Sequence, residues 1–219
     1  MSFNRKKQIK ADEIRKKTRI AFNKLASNYE KDEALQEPRK CYAPVLKIIK
    51  KQAITDLKLL DIGCGTGVML KLICEEFPHA SDIFGIDLSP AMVKRARDKL
   101  SGYKARIMEG QIETVDLPEE FYDIELCMHS IHHYPSPFKS LKKMERALSK
   151  NGMLIIADNY YKGWRRIKRN WELYAHNYPN GDMWMYSFFE LGVLARLAGF
   201  KKSYCYKVGE KSFILVCQK

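Results

Sequence analysis

The sequence of 219 residues lacks several features that would assign it to other protein classes. No apolar run approaches the roughly 20 residues needed to cross a bilayer, and no apolar signal segment follows the basic N-terminal residues. We therefore expect a cytoplasmic protein without a membrane span. The six cysteines include no C-x-x-C pair and no metal-finger spacing, so we expect reduced thiols. Internal repeats and low-complexity tracts are also absent.

Acidic residues are scarce relative to basic ones. The 26 Asp and Glu stand against 39 Lys and Arg, which gives a formal net charge of +13. The basic residues concentrate at 5–24 and 162–169. Such surfaces attract nucleic acid, anionic membranes or acidic small molecules, but solvated basic faces on ordinary helices are the more common explanation. The length suffices for one α/β domain with a full core and a small cap.

The segment at 59–67, Leu-Leu-Asp-Ile-Gly-Cys-Gly-Thr-Gly, predicts a buried strand, a glycine turn and a helix that opens at about Thr66. Glycines at every second position let the backbone approach a ligand closely. Asp61 in front of the turn argues against a phosphate and for a ligand with an ammonium or hydroxyls. No Gly-Lys-Ser/Thr follows, which excludes a P-loop, and Val68 stands where the pattern G-x-G-x-x-G of dinucleotide-binding proteins has its third glycine.

A second predicted strand, 82–87, ends in Asp87, which lies 20 residues beyond Gly67. At that spacing a strand-end carboxylate in a βαβ unit can chelate a ribose diol. A glycine turn that serves only strand–helix packing would not explain two correctly spaced acids. The motifs LLDIGCGTG and GIDLS resemble those of the class I S-adenosylmethionine-dependent methyltransferases, in particular small-molecule methyltransferases of the quinone-biosynthesis type.

The resemblance implies an α/β fold with a doubly wound, mostly parallel seven-stranded sheet of the Rossmann-like kind, whose seventh strand is antiparallel. The residue pattern agrees, because strand-like segments alternate with helices of about ten residues. We expect an N-terminal helical cap at 1–52, with helices at 11–30 and 38–52. The methyltransferase domain would occupy 53–219, with a variable acceptor-side insertion, an aromatic helical lid, at about 158–189.

Helix and turn signals place further boundaries in this domain. Ser89 and Ser136, each followed by proline, predict capped helix starts, and Ser187 with Glu190 predicts a capping box. The pair Asn151–Gly152 predicts a turn into a fifth strand. The segments 201–207 and 212–217 form a predicted final hairpin.

The implied cofactor is S-adenosylmethionine. In this family's arrangement Asp61 would position its ammonium, Asp87 would chelate its ribose, and Leu88 and Ile112 would sandwich its adenine. Many relatives place an aspartate where this chain has Gln111, whose amide carbonyl could accept the same bond from the adenine amine. The predicted cofactor-binding residues are Tyr29, Asp61, Gly63, Cys64, Gly65, Gly67, Asp87, Leu88, Met92, Gln111, Ile112 and His129. The ring of Tyr29 either closes over the cofactor or packs at a helix end.

Three histidines follow the fourth predicted strand, 122–128. Neither paired cysteines nor a carboxylate stand at ligand spacing beside them, so we predict no metal. The stretch is similar to an S-x-x-H-H pattern of small-molecule methyltransferases, which implies that His129 lies beside the cofactor. His132 and His133 would face the acceptor or hold the following loop. Because imidazole titrates near neutral pH, both are candidate general bases; packing or hydrogen bonding to the acceptor is the alternative.

The segment 158–189 contains all three tryptophans. One hypothesis is an aromatic lid over a flat, hydrophobic or cationic acceptor. The other is a helical hairpin in which Trp164, Trp171 and Tyr174 pack on the sheet edge. Both hypotheses stay open at this point.

Three functions are compatible with the sequence. The first is methyl transfer by in-line displacement to an O, N or C nucleophile of a small molecule, which could be aromatic, hydrophobic or acidic. The second is methylation of RNA or another nucleic acid through the basic surfaces, although the N/D-P-P-Y/F/W stretch and a Pro-Cys or Thr-Cys nucleophile are missing. The third is a cofactor-binding protein without activity. A monomer and a homodimer are both consistent with the sequence.

Overall fold

A computed structural model describes residues 3–31 and 36–219. Its strands form one sheet, and seven of them are described: β1 (Lys58–Ile62), β2 (Asp82–Asp87), β3 (Ala105–Glu109), β4 (Tyr122–Met128), β5 (Leu148–Asn159), β6 (Lys202–Val208) and β7 (Ser212–Gln218). The order is β3-β2-β1-β4-β5-β7-β6. Strands β1 to β5 run parallel, whereas β7 is antiparallel to both β5 and β6. The predicted fold class is confirmed.

Helices cover both faces of this sheet, as a parallel sheet requires. They are α1 (Phe3–Leu25), α2 (Gln36–Arg39), α3 (Tyr42–Lys50), α4 (Val68–Glu76), α5 (Pro90–Lys99), α6 (Pro137–Ala147), α7 (Trp164–Ala175) and α8 (Phe188–Ala198). Buried side chains of α6 and α8 join one core cluster with Leu60, and those of α3, α4 and α5 join the other with Leu59. Successive β1 residues thus serve opposite cores.

Two of the three predicted helix caps are present. The Ser89 hydroxyl accepts a hydrogen bond from the Met92 amide at 3.2 Å, and Pro90 occupies the first turn. Ser187 and Glu190 form the predicted capping box at the start of α8. Ser136 precedes α6 but its side chain makes no capping hydrogen bond within the described structure, so that cap is wrong; Pro137 alone marks the start.

Several predicted boundaries are also wrong. The first helix spans Phe3–Leu25 instead of 11–30, so Tyr29 lies in the turns after it. The second is divided into α2 and α3. Asn151–Gly152 is not a turn but part of β5, because the pairing of β5 with β4 shifts register next to Tyr122 and absorbs the extra residues there. Among the described residues, no helix is long and apolar enough to cross a membrane.

The aromatic segment does not pack as the hairpin hypothesis expects. Trp164, Trp171 and Tyr174 of α7 are each 67% exposed, so they do not lie against the sheet edge. The buried side of α7 consists of Asn170 and Leu173. The packing hypothesis for these three aromatic side chains is therefore wrong, because the helix turns its polar and aliphatic side inward.

Glu125 in the middle of β4 is an anomaly in the core. Its side chain is 0% exposed, and neither carboxyl oxygen has a hydrogen-bond partner in the part of the chain that the structure describes. Its register partners are Leu60 and Leu154. Burial raises the pKa of Glu125 well above its usual value, with a smaller opposing effect from Lys219. The folded protein therefore holds a proton here at pH values where the unfolded chain has released it.

We expect Glu125→Leu to stabilise the protein. Wild-type stability falls as the pH rises above the unfolded-state pKa of this glutamate, since ionisation is disfavoured only in the folded state. The variant is expected to gain about 1–3 kcal/mol of unfolding free energy at about pH 8, and less at about pH 5. Denaturant titrations at both pH values measure this. Glu13→Leu, at an exposed position of α1, is the matched control. A Glu125→Leu variant that is destabilised at both pH values would contradict the assignment.

Candidate active site

A cavity that is partly open to solvent lies at the carboxyl ends of β1, β2 and β4. Ligands of open α/β sheets bind at this edge. Nine residues predicted from sequence line it: Tyr29, Gly63, Gly65, Asp87, Leu88, Gln111, Ile112, His129 and His133. The topology of the sheet therefore brings the glycine turn, the end of β2, the loop after β3 and the histidine segment to one place.

The Asp87 carboxylate is held rigidly at the end of β2. Its Oδ2 accepts a hydrogen bond from the Gly65 amide at 2.8 Å, and its Oδ1 accepts one from the Ser89 amide at 2.8 Å. Each carboxylate oxygen has further acceptor capacity. Burial raises the pKa of Asp87 to about 6, although the two backbone hydrogen bonds oppose the shift. Near neutral pH the group is a fixed acceptor pair facing the cavity.

Asp61 lies at the end of β1 directly behind the glycine turn and is 1% exposed. Its Oδ1 has no hydrogen-bond partner among the described residues. Burial, and then the neighbouring charge of Asp87, raise the pKa of Asp61 to about 7. A buried carboxyl with a vacant acceptor atom is suited to a cationic ligand group such as an ammonium.

The three glycines of the turn have different local roles. All three have positive φ. A Cβ at Gly63 would lie 2.6 Å from the Ser130 hydroxyl, and one at Gly67 would lie 3.1 Å from the Ala96 side chain, so both allow close packing. At Gly65 the nearest atom is the Tyr29 ring at 3.8 Å, which leaves its backbone open to the cavity. Close packing therefore explains the glycines at Gly63 and Gly67, and close approach of a ligand best explains Gly65.

The loop after β3 supplies an amide acceptor. The Gln111 Oε1 atom is buried and has no hydrogen-bond partner in the described ranges. Ile112 beside it is 2% exposed, and Leu88 lies on the same cavity wall. An unpaired carbonyl next to two aliphatic side chains is suited to a planar base with an exocyclic amine.

Helix α1, part of the predicted N-terminal cap, lies over the cavity and contributes wall residues that the sequence did not identify. Its residues Arg15, Thr18, Arg19 and Phe22 line the wall. Arg19 pairs with Glu109 at 2.7 Å, and Arg15 lies 3.5 Å from Glu113. The helical periodicity of this segment showed an apolar face but not which surface it would meet.

A turn over 179–181 packs against α1 at Thr18. A Cβ at Gly181 would lie 1.9 Å from the Thr18 hydroxyl oxygen and 2.8 Å from the Thr18 amide, so the two backbones are in contact. The Phe22 ring meets the His133 ring edge-on with centroids 5.0 Å apart. The helix is thereby fixed over the histidine segment.

His132 is buried behind the cavity wall and does not line it. Its Nδ1 and Asp158 Oδ1 are 2.7 Å apart. Burial lowers the pKa of His132, but the combined attraction of Asp158 and Asp182 outweighs it and raises the pKa above the usual value. This histidine forms a buried ion pair, which is a positioning arrangement.

His133 faces the cavity instead. Its Nδ1 lies 3.2 Å from Asp182 Oδ1. Burial, and then the charge of His132, lower the pKa of His133 well below the usual value. The ring is consequently neutral near pH 7 and can act as a hydrogen-bond acceptor or a base.

His129 is the first histidine of the segment and has a φ of 50°, a left-handed conformation that is uncommon outside glycine. Both of its ring nitrogens are buried and lack hydrogen-bond partners in the described part of the chain. Burial lowers its pKa to about 4. A neutral ring in a strained backbone at the cavity wall is suited to direct ligand contact.

One group of side chains could hold a metal ion. Within the described residues, His132, His133 and Asp182 each offer one ligand atom within 4.8 Å of the others. The histidine segment alone did not reveal this group, because Asp182 comes from a distant loop. The absence of a metal stays a prediction.

A hydroxyl network after β4 was also missed. The Ser130 hydroxyl donates to the Ile62 carbonyl at 3.0 Å and lies 2.8 Å from the Tyr134 hydroxyl. Both side chains line the cavity. They connect the end of β1 to the histidine segment, and only the tertiary contact with Ile62 identifies them.

Four predicted cofactor residues do not line the cavity: Asp61, Cys64, Gly67 and Met92. The Met92 side chain is 0% exposed, and Cys64 is 7% exposed and belongs to a core cluster. Cys64, Gly67 and Met92 could act on a ligand only through their backbone groups, and Asp61 only through its charge. Their roles stay predictions.

A family model described as a methyltransferase domain matches residues 60–156. In sequence, the chain is 29% identical over 145 residues to malonyl-[acyl-carrier protein] O-methyltransferase of Priestia megaterium, covering 62% of this chain and 48% of that protein. It is 27% identical over 150 residues to ubiquinone biosynthesis O-methyltransferase of Histophilus somni, covering 62% and 60%. The chain thus spans about half the length of the curated relatives it matches.

Solved structures share the fold. One is a chain from the complex between the Haloferax volcanii Trm112 methyltransferase activator and a methyltransferase, with a TM-score of 0.75 and 17% identity, covering 92% of this chain and 96% of that chain. Another is an S-adenosylmethionine-dependent methyltransferase from Aquifex aeolicus, with a TM-score of 0.64 and 22% identity, covering 88% and 97%.

The matched segment contains the glycine turn, Asp87 and the histidine segment, and therefore most of the cavity wall. The whole seven-stranded fold superposes on the solved methyltransferases, with 92% and 88% of this chain covered. Residues 60–156 thus match a methyltransferase domain, and the fold of the chain is that of solved methyltransferases.

Proposed function

We propose that this chain transfers a methyl group from S-adenosylmethionine to a small-molecule acceptor. The observation that carries the proposal is the Asp87 carboxylate, which two backbone amides hold at the cavity wall with acceptor capacity to spare. A ribose diol offers two neighbouring hydroxyl donors, one for each oxygen of this carboxylate. The family match and the O-methyltransferase relatives support the same conclusion.

The vacant polar atoms fit the rest of this cofactor. The charge of Asp61 behind the cavity wall is suited to the ammonium, Gln111 Oε1 to the adenine amine, and the open backbone at Gly65 to the methionine portion. Leu88 and Ile112 would contact the two faces of the adenine. The Tyr29 ring, 3.8 Å from a Cβ built at Gly65, would close over the methionine end.

The cofactor supplies a methyl group on a sulfonium, which a nucleophile displaces in line. The protein's part is to align the acceptor and to exclude water. We assign His133 to the acceptor side, where its neutral ring can take a proton from a hydroxyl or amine. His132 would position that ring through Asp182, which lies between the two histidines.

The acceptor class is proposed from the relatives and the cavity. The names of two relatives specify O-methylation, one of malonyl-[acyl-carrier protein] and the other in ubiquinone biosynthesis. Helix α1 covers part of the cavity, which favours a small molecule over a structured nucleic acid. Nucleic-acid methylation stays the alternative. In the proposed domain organisation, α1 belongs to the N-terminal cap and the 158–189 segment is the acceptor-side insertion. A cytoplasmic location is also proposed, consistent with the buried thiols of Cys64 and Cys127.

Asp87→Ala is expected to weaken binding of S-adenosylmethionine and of its demethylated product by about 100-fold. The reason is the loss of two charge-assisted hydrogen bonds to the ribose. Calorimetric titration measures the change, and Asp87→Asn, which keeps one acceptor, should lie between. The exposed Asp116→Ala is the matched control. Wild-type affinity in Asp87→Ala would remove the ribose assignment.

Cofactor binding is expected to release protons at about pH 6. Asp61, whose pKa is raised to about 7, is mostly protonated there in the free protein, and a neighbouring ammonium would favour its ionised form. At about pH 8 the release should largely vanish. Calorimetry in two buffers of different ionisation enthalpy measures the number of protons. Asp61→Asn should reduce it, and an unchanged release would assign the protons elsewhere.

A methyl-transfer assay distinguishes small-molecule acceptors from nucleic acid. Labelled S-adenosylmethionine is incubated with a malonyl thioester, a catechol or total RNA. Label in either small molecule supports the proposal, and label in RNA alone would contradict it. With a catechol, His133→Asn is expected to lower kcat by about 100-fold or more if the ring is the base.

A further inference from the structure

An apolar stripe runs along the outer side of α7. Its members are Trp164, Ile167, Trp171 and Tyr174, and each is 67% exposed. Their spacings of three, four and three residues place them on one side of the helix. Amphipathic helices of globular proteins ordinarily turn such a side inward.

The opposite side of α7 is firmly attached, so the stripe is held outward. Leu173 is fully buried, and the Asn170 side chain exchanges hydrogen bonds of 2.7 and 3.2 Å with the Met185 backbone. Arg166 pairs with Glu190 of α8 at 2.6 Å. Rotating the stripe inward would break these contacts, so its exposure belongs to the fold.

Positive charge borders the stripe. Lys162, Arg165 and Lys168 are exposed, and Lys168 stands four residues after Trp164 and three before Trp171. Glu172 is the only acidic residue in α7, and its carboxylate lies 3.9 Å from the Lys168 ammonium. Arg166 and Arg169 are occupied by acidic partners on the buried side. The exposed side of the helix therefore combines large apolar rings with an excess of cations.

We propose that α7 docks on the surface of an anionic phospholipid bilayer. Trp and Tyr suit the bilayer interface because their rings are apolar and their N–H or O–H groups stay hydrated. The bordering lysine and arginine side chains would meet the lipid phosphates. A second copy of this chain is a poorer occupant, since a net charge of +13 on each molecule disfavours contact between two basic surfaces.

The proposed docking surface is connected to the cavity. Arg169 of α7 lies 3.3 Å from Asp182 Oδ2, and the other oxygen of that carboxylate faces His133. Helix α7 is thus linked to the His133 side of the cavity through a single carboxylate.

Vesicle binding of the full chain tests the proposal. The probes are vesicles of phosphatidylcholine alone and of phosphatidylcholine mixed with phosphatidylglycerol, in a co-sedimentation assay. We expect binding to the mixed vesicles, reduced at high salt. Trp164→Gln combined with Trp171→Gln should lower the partition coefficient about tenfold or more, and Lys168→Glu about fivefold or more.

A matched control separates the stripe from exposed apolar side chains in general. Val193 and Leu197 of α8 are 44% and 68% exposed, and Val193→Gln with Leu197→Gln should leave vesicle binding unchanged. Thermal unfolding confirms that both double variants are folded. No binding of the wild type to mixed vesicles, or equal loss in both double variants, would overturn the proposal. So would a wild-type dimer in light scattering that the α7 variant converts to a monomer without any vesicle binding.

Discussion

The Asp87 carboxylate joins the two crossovers on which the cavity depends. By accepting hydrogen bonds from Gly65 and Ser89, it links the glycine turn after β1 to the start of α5 after β2. Those backbone bonds orient the carboxylate and use only part of its acceptor capacity. A single ionised group thus stabilises the loops and presents a ligand site, at the cost of burying charge beside Asp61. A cationic ligand group would offset that cost.

The histidine segment illustrates how burial divides similar side chains into different roles. His132 is charged by its contact with Asp158, whereas His133 is kept neutral by burial and by that same charge. The two adjacent imidazoles have ring centroids 4.2 Å apart, so protonating both would bring two positive charges into repulsive contact. The one that faces the cavity is the neutral one. This division is an electrostatic consequence of Asp158 and Asp182, which flank the pair from other parts of the chain.

Helices α1 and α7 differ in whether their apolar side chains are buried or exposed. Helix α1 is strongly basic, yet Thr18 and Phe22 face the cavity and the turn at Gly181 packs against its backbone. Helix α7 uses a comparable amphipathic pattern in the reverse sense, with Asn170 and Leu173 inward and the aromatic residues outward. Helical periodicity shows that a helix has two sides, but the side that is buried depends on which polar groups find partners. In α7 the Met185 backbone satisfies Asn170 and decides the orientation.

The sequence by itself determined the sheet, the glycine turn and the position of Asp87, because each follows from local spacing along β1, β2 and the helices between them. It also identified Gln111 and His133 as residues of the cavity wall. Only the tertiary structure decided which α1 residues line this cavity, that Ser130 and Tyr134 connect to Ile62, and that Asp158 and Asp182 divide the roles of the histidines. These contacts join segments far apart in the chain, and their partners are chosen by packing, which no local pattern encodes. The outward orientation of α7 was decided in the same way.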